Sequence, residues 1–410
     1  MSFYIETFGC KVNAYESNYI SESLIKSGFI LSKNMSDADI IIINTCTVTN
    51  TADSKCKKYV RRVRRENGSS LLIVIGCSVQ NNFQEYSEMN IDILLGNRYK
   101  NKIVELIKNY ISTNDNYTYI TNNRDLDFES MEINDFNHTR AYIKIQDGCD
   151  NFCTYCIIPF VRGKCRSKNF DEIIKEANTL VKNGHKEIVL TGIHTGSYND
   201  NNKDLTDLIN EMSKIKELKR IRLSSVEITE LNEKFLKLLK ENDKFCDHLH
   251  IPLQAGSNEV LKMMNRKYDM NYFFNKIEQI RKIKPNISIT TDIIVGFPEE
   301  TEEMFNKTLE NSDKLKFSKI HVFPYSKRNG TKASRMKDVP SKEKTERVHK
   351  LLELSSKLEK EYSSKFLNTD VEILVEEVKN GISIGHTSNY LKVEVPEILE
   401  KGKIYKVKYK

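Results

Sequence analysis

The sequence predicts an α/β protein in three parts: a Rossmann-like N-terminal parallel sheet, a partial (β/α)6 TIM-like barrel, and a small C-terminal antiparallel β-barrel. Three observations predict it. Short apolar runs alternate with helical patterns over the N-terminal part. Six strand-then-helix steps follow, each strand ending on polar or glycine residues. Beyond residue 366 the pattern changes to short strands separated by turns such as Asn380-Gly381 and Ser388-Asn389. A chain of 410 residues is also too long for one ordinary core. Domains are expected at 1–112, 135–365 and 366–410, with a polar linker at 113–134.

In the first part, Phe3 to Phe8, Asp39 to Asn44 and Leu71 to Ile75 read as strands, and Ala14 to Ser27 and Ala52 to Glu66 as helices. Cys10, Cys46 and Cys77 each fall just past one of these strands. The carboxyl ends of strands in an open parallel sheet share one edge, so the three thiols are expected to converge there. Any one of them alone could be a small buried hydrophobe. Cys56, on the following helix, is a possible fourth thiolate. The same helix carries Lys55, Lys57, Lys58, Arg61, Arg62, Arg64 and Arg65, distributed round much of its circumference, and reads as a phosphate-contacting, RNA-binding surface rather than a solvated face.

The barrel strands are expected at Ala141 to Gln146, Ile188 to Thr191, Arg220 to Ser224, His248 to Leu253, Ile287 to Val295 and Ile320 to Phe323. Six steps instead of eight predict a barrel open on one side, wide enough for a bulky substrate. The loop after the first strand, Gly148 to Cys156, spaces Cys149, Cys153 and Cys156 as C-x3-C-x2-C. Three thiolates can wrap an iron–sulfur cluster while leaving one iron open for substrate or cofactor. A closed zinc site completed by Cys165 or a histidine is the alternative. Ser341 to Phe366 reads as a long charged helix, and Val371 to Val378, Ile382 to Thr387, Tyr390 to Glu394 and Ile404 to Tyr409 as the strands of the terminal barrel. Such barrels often bind oligonucleotides; a stabilising appendage is the other reading.

Composition sets the surroundings. With 39% hydrophobic and 30% charged residues the chain reads as globular, and its longest aliphatic run, Ile40 to Ile43, is far too short to span a bilayer. The start, Met1 to Thr7, lacks the basic and apolar pattern of a signal peptide, so no membrane association and a cytoplasmic location are expected. Nine cysteines then point to metal ligation over disulfides. The net charge of +7 leans toward an anionic partner, although part of it reflects a chain rich in Lys, Asn and Ile.

The C-x3-C-x2-C spacing with Tyr155 before the last cysteine resembles the signature of radical S-adenosylmethionine (SAM) enzymes. That resemblance implies a [4Fe-4S] cluster whose open iron takes the amino and carboxylate groups of SAM, and whose electron splits SAM to a 5′-deoxyadenosyl radical. The three parts together resemble the methylthiotransferase family of these enzymes, whose terminal barrel is the RNA-binding TRAM domain. Ile157 to Lys164, His250 to Gln254, Thr291 to Pro298 and Pro324 to Ser326 also look familial.

The resemblance implies two [4Fe-4S] clusters, the radical-generating one on the catalytic Cys149, Cys153 and Cys156 and an auxiliary one on Cys10, Cys46 and Cys77. It further implies a SAM site lined by Gly192, Ser224, Glu227, Gln254 and Val295, with tRNA, a reductant protein and a sulfur source as partners. Gly9 to Asn13, Asn44 to Asn50 and Gly385 to Thr387 look like the type that adds a methylthio group to C2 of N6-threonylcarbamoyladenosine beside the anticodon. The type acting on N6-isopentenyladenosine usually has Gln-Met at Lys11-Val12, and the type acting on a ribosomal protein a Pro-Lys-Asn context. Ala255, Glu299 and Lys168 depart from the family pattern without removing a ligand. An iron- or zinc-dependent RNA-binding regulator would explain both cysteine trios but not the repeated βα pattern. No role is read for Cys56, Cys165 or Cys246.

Overall fold

A computed structural model describes residues 1–122 and 126–410. The N-terminal sheet is wholly parallel, with strands β1 (Ser2–Thr7), β2 (Ile30–Leu31), β3 (Ile40–Thr45), β4 (Leu71–Gly76), β5 (Ile93–Leu95) and β6 (Tyr117–Tyr119) in the order β2-β1-β3-β4-β5-β6. Every residue of β3 and β4 is buried, as expected of strands covered by helices on both faces. Helix α1 (Lys11–Lys26) follows β1, and α2 (Asn50–Glu66) follows β3, its first turn capped by the Thr49 hydroxyl accepting from the Ala52 N–H. Thr7 lies opposite Asn44, and Thr45 opposite Gly76, so the three cysteine loops leave the sheet side by side.

The 113–134 segment is not the loose linker that its polar composition suggests. Part of it forms β6, an added edge strand. Farther on, Met131 and Ile133 are buried in the barrel core, and the Met131 carbonyl accepts hydrogen bonds from Tyr15 and Lys168. A few apolar residues anchored by buried polar partners outweigh a polar average. Residues 123–125 of this segment lie outside the described residues.

The central barrel has six parallel strands: β7 (Arg140–Lys144), β8 (Glu187–Thr191), β9 (Arg220–Leu223), β10 (His248–His250), β11 (Ser288–Val295) and β12 (Lys319–Pro324). They form two ladders, β9-β8-β7 and β10-β11-β12. The ladders meet through an Ile221–Phe245 bridge and a 3.0 Å bond from the Val226 N–H to the His250 carbonyl. Among the described residues β7 and β12 do not pair, which leaves the barrel open between them. Strand β10 ends at His250 and not at Leu253, because Pro252 has no N–H to give and Gln254 takes a left-handed φ of 66°.

A long helix, α3 (Ser341–Ser364), leads to β13 (Asp370–Lys379), β14 (Ile382–Thr387), β15 (Lys392–Val395) and β16 (Ile404–Lys408). These form an antiparallel sheet in the order β15-β14-β13-β16, bent by a bulge between Val375 and Glu377 into a half-barrel. It is closed against the amino-terminal mouth of the main barrel. Arg220 donates to the His386 and Glu372 carbonyls, and Arg222 to the Ser388 and Thr387 carbonyls. Tyr390 stacks on both His248 and His386 with ring centroids 4.9 Å apart, and Arg222 lies over its ring.

Arg222 also makes a buried 2.6 Å pair with Glu187, both side chains being almost inaccessible. Removing one partner leaves an unpaired buried charge, so Arg222→Met is expected to destabilise the protein by about 3–5 kcal/mol. Thermal unfolding of variant and wild type checks this, and an unshifted melting profile would contradict it.

Candidate active site

Two glycines let the N-terminal cysteine loops close. Gly9 has φ 114°, and a Cβ there would stand 2.8 Å from the Cys46 Cβ. Gly76 has φ 109°, and a Cβ would stand 2.6 Å from the Thr45 carbonyl. Cys10, Cys46 and Cys77 accordingly gather at one sheet edge, Cys10 exposed and the other two buried. Asn13 ties the loops together, donating to the Phe8 carbonyl at 2.8 Å and the Thr45 carbonyl at 3.0 Å. Cys56 stands behind this group on the buried face of α2, its thiol 3.8 Å from the Cys46 carbonyl.

The second trio sits on a loop whose turn also requires glycine: a Cβ on Gly148, at φ 76°, would fall 1.9 Å from the Lys164 carbonyl oxygen. The Cys149 N–H donates to the Gly163 carbonyl and the Thr154 N–H to the Met264 carbonyl, pinning the loop at both ends. The Arg266 guanidinium lies 3.4 Å from the Cys153 sulfur and pairs with Glu227. His194 Nδ1 lies 3.9 Å from the Cys149 sulfur and 3.8 Å from Cys165.

A buried charge cluster joins the trios. Arg162, six residues after Cys156 in sequence, donates from Nε to the Cys77 sulfur at 3.2 Å and from Nη2 to Asn13 at 2.9 Å. Its Nη1 pairs with Glu16 at 3.2 Å and Asp147 at 3.1 Å. Glu16, with no exposed side-chain surface, is paired as well with Lys100 at 2.7 Å and Lys144 at 2.8 Å. On the far side Arg328, after β12, binds Thr47, Asn50 and Asp53 beyond the Cys46 loop. The N-terminal sheet edge is thereby clamped to the barrel on two sides.

Three thiols in each group suit an iron–sulfur cluster that leaves one iron open. A zinc ion draws its thiolates within about 4 Å of one another, whereas thiolates on separate irons of a cluster stand farther apart. Among the described residues no cysteine belongs to a set of three ligand atoms mutually within 4.8 Å; the set that meets this is His250, Asp292 and His321. Burial pushes the Cys46 and Cys156 thiols up to about 12, so their thiolates need a bound cation to persist.

The residues expected to line a SAM site divide. The Ser224 hydroxyl is buried and makes no hydrogen bond among the described residues, leaving it free for a ligand. Glu227 reaches the Cys153 side through Arg266, and Gly192 packs against Gln146. Gln254 has its backbone N–H and carbonyl engaged by β11, while Val295 is a core residue with no exposed surface.

The basic helix also differs from its sequence reading. Cys56, Val60 and Val63 bury one face, so the cations do not encircle it. Arg64 pairs with Asp92 at 2.6 Å and holds the Asn90 and Ser70 carbonyls; Lys57 pairs with Glu85, and Arg62 with Glu66. Lys55, Lys58, Arg61 and Arg65 remain on the exposed side.

Residues 143–311 match the Radical SAM superfamily, and residues 2–96 match the profile described as Uncharacterized protein family UPF0004. The chain is 42% identical to the threonylcarbamoyladenosine tRNA methylthiotransferase MtaB of Bacillus subtilis, over 98% of this chain and 92% of that one. The chain belongs to the radical SAM methylthiotransferase family. The enzyme is also 38% identical to the MtaB of Thermotoga maritima, over 95% of this chain and 90% of the relative. It is 36% identical to the tRNA-2-methylthio-N(6)-dimethylallyladenosine synthase of Acetivibrio thermocellus, over 91% and 80%. Its fold matches that of the radical SAM methyltransferase TsrM from Kitasatospora setae with TM-score 0.60 at 12% identity, over 81% of this chain and 77% of that one.

The methylthiotransferase residues that sequence reasoning missed are Glu16, Lys100, Lys144, Asp147 and the role of Arg162. Only Arg162, inside the familial Ile157 to Lys164 stretch, carried any signal. In the cluster-free protein, alkylation of Cys46 and Cys156 at pH 8 is expected to be slower than that of an exposed cysteine by on the order of 10³. Burial raises these thiols, so the rates should climb about tenfold per pH unit toward pH 11. Peptide mass spectrometry of pulse-labelled protein measures this, and labelling of either at pH 8 as fast as the exposed Cys10 would contradict it.

Proposed function

We propose that the enzyme replaces the hydrogen at C2 of N6-threonylcarbamoyladenosine, next to the anticodon of tRNA, with a methylthio group. In this reading Cys149, Cys153 and Cys156 hold the SAM-cleaving [4Fe-4S] cluster, and Cys10, Cys46 and Cys77 the auxiliary one. The single observation that carries it is the pairing of two three-thiol groups, each one ligand short of closure, across Arg162 at the barrel mouth. When bound, the clusters and SAM supply one-electron chemistry at an aromatic C–H that no ordinary general base can deprotonate.

The chain's own groups then position the reactants. Arg162 holds negative charge on the Cys77 sulfur and Arg266 on the Cys153 sulfur, both as charge-assisted donors. The unpartnered Ser224 hydroxyl and Glu227 face SAM, with Gly192 beside them and Gln254 and Val295 supporting through the backbone. The opening between β7 and β12 admits the anticodon nucleotide. The exposed Lys55, Lys58, Arg61 and Arg65, with Lys57, Arg62 and Arg64 anchoring the helix, and the half-barrel at 366–410, contact the phosphate backbone. Residues 1–112 and 135–365 form the auxiliary-cluster and radical domains. A reductant protein and a sulfur source complete the reaction, which takes place in the cytoplasm; no helix among the described residues is long and apolar enough to cross a membrane.

Nucleoside mass spectrometry of tRNA from a deletion strain tests the substrate. The 2-methylthio form of threonylcarbamoyladenosine should vanish and return on complementation; loss of the methylthio dimethylallyl nucleoside instead would overturn the reading. Replacing Cys149, Cys153 and Cys156 by Ala should abolish 5′-deoxyadenosine formation. Replacing Cys10, Cys46 and Cys77 should leave SAM cleavage but no methylthio product.

A further inference from the structure

Below the cysteine edge, a cavity of about 630 Å³ occupies the barrel lumen, reaching from Lys11 and Ser224 to Tyr390. This is ample for a nucleobase substituent. Its cations are nearly all neutralised by carboxylates: Arg140 by Glu376 at 3.1 Å, Arg222 by Glu187 at 2.6 Å, Lys319 by Glu359 at 3.1 Å and Lys392 by Glu394 at 2.7 Å. The Lys11 ammonium makes no hydrogen bond or ion pair among the described residues. The residue is half-buried, follows Cys10 directly and faces the lumen. The exposed His321 ring, also lining the cavity, makes no hydrogen bond among the described residues, whereas the His250 ring is held by Thr290 at 2.9 Å and Asp292 at 3.2 Å.

His250, Asp292 and His321 have the donor types of a cation site, but the unpaired Lys11 ammonium lines the same cavity. Burial holds His248 well below the usual imidazole range, and Arg222, His250, Lys11 and Arg140 push it the same way. With Arg140, Arg222, Lys319 and Lys392 each paired to a carboxylate, the Lys11 ammonium is the lining cation left without one, and the lumen can take one more anion.

The substrate reading above supplies one, and this inference rests on it. A threonylcarbamoyl group carries a carboxylate and a hydroxyl; a dimethylallyl group carries neither. On adenine, C2 and C6 flank N1, so a base that presents C2 to the cysteine edge sends its N6 substituent off beside the reacting carbon. We propose that the lumen cavity receives the N6-threonylcarbamoyl arm, the Lys11 ammonium pairing with its carboxylate and the His321 imidazole hydrogen-bonding its polar chain, so that Lys11 determines which modified adenosine is accepted.

The test is equilibrium binding of the full chain, with both clusters reconstituted, to anticodon stem-loops carrying either threonylcarbamoyladenosine or its carboxamide, which removes the charge alone. Wild type should prefer the acid by about 10-fold or more, the scale of a charge-assisted pair. Lys11→Gln should bind both equally, at the carboxamide level, and Lys11→Arg should restore the preference. Equal binding of acid and carboxamide by wild type overturns the inference even if a variant fails to fold, and so does an undiminished preference in Lys11→Gln. A wild type that favours a dimethylallyladenosine stem-loop over both would instead refute the substrate reading on which the inference rests.

Discussion

The arrangement depends on one buried guanidinium. Arg162 is almost wholly inaccessible, yet it touches the Cys77 sulfur, Asn13, Glu16 and Asp147, and so belongs to both halves of the site. A charge in that position is tolerable only when every neighbour answers it, since an unpaired buried ion costs several kcal/mol. Burial opposes ionisation of Glu16, but Lys100, Lys144 and Arg162 overcome it and hold its carboxyl well below the ordinary range. The folded pKa being depressed, that contribution is present at neutral pH and is lost only as acid protonates the carboxylate. The cluster therefore fixes α1, β7 and the Cys149 loop with respect to each other by electrostatics that no single domain contains.

This mutual dependence gives the fold its functional shape. The N-terminal sheet offers its carboxyl edge, the barrel offers its own, and the buried cluster with the Arg328 clamp makes the two edges face each other. The half-barrel packs over the opposite mouth, with Tyr390 against His248, and bounds the lumen cavity at that end. The gap between β7 and β12 remains as a side entrance. A reaction needing two open cluster sites and a large substrate can be served by this geometry and by neither domain alone.

Much of this was legible in the sequence because its signals are local. Continuous apolar runs such as Ile40 to Ile43 can hardly be anything but buried parallel strands, and cysteines just past such strands must share an edge. The count of βα steps predicted an open barrel, and Asn380-Gly381 marked the hairpin of the half-barrel. The polar stretch after residue 112 was misread because Met131 and Ile133 are too few to shift a composition average. The spread of charge round the basic helix was overestimated because Cys56, Val60 and Val63 bury one face and Arg64 turns to Asp92 just before β5, which spacing along one helix does not reveal. Glu16, Lys100, Lys144, Asp147 and Arg162 are scattered along the chain and have no common spacing, so only the folded topology brings them together. Lys11 was visible as a cation beside Cys10, but its lack of a partner is a property of the cavity.

The most direct measurement is iron and acid-labile sulfide per chain in anaerobically reconstituted protein, with Arg162→Met measured beside wild type. Two half-open [4Fe-4S] sites predict about eight of each in wild type. The variant should lose chiefly the share proposed for Cys10, Cys46 and Cys77. Zinc without sulfide in wild type, or a variant that keeps its full complement, would contradict the account.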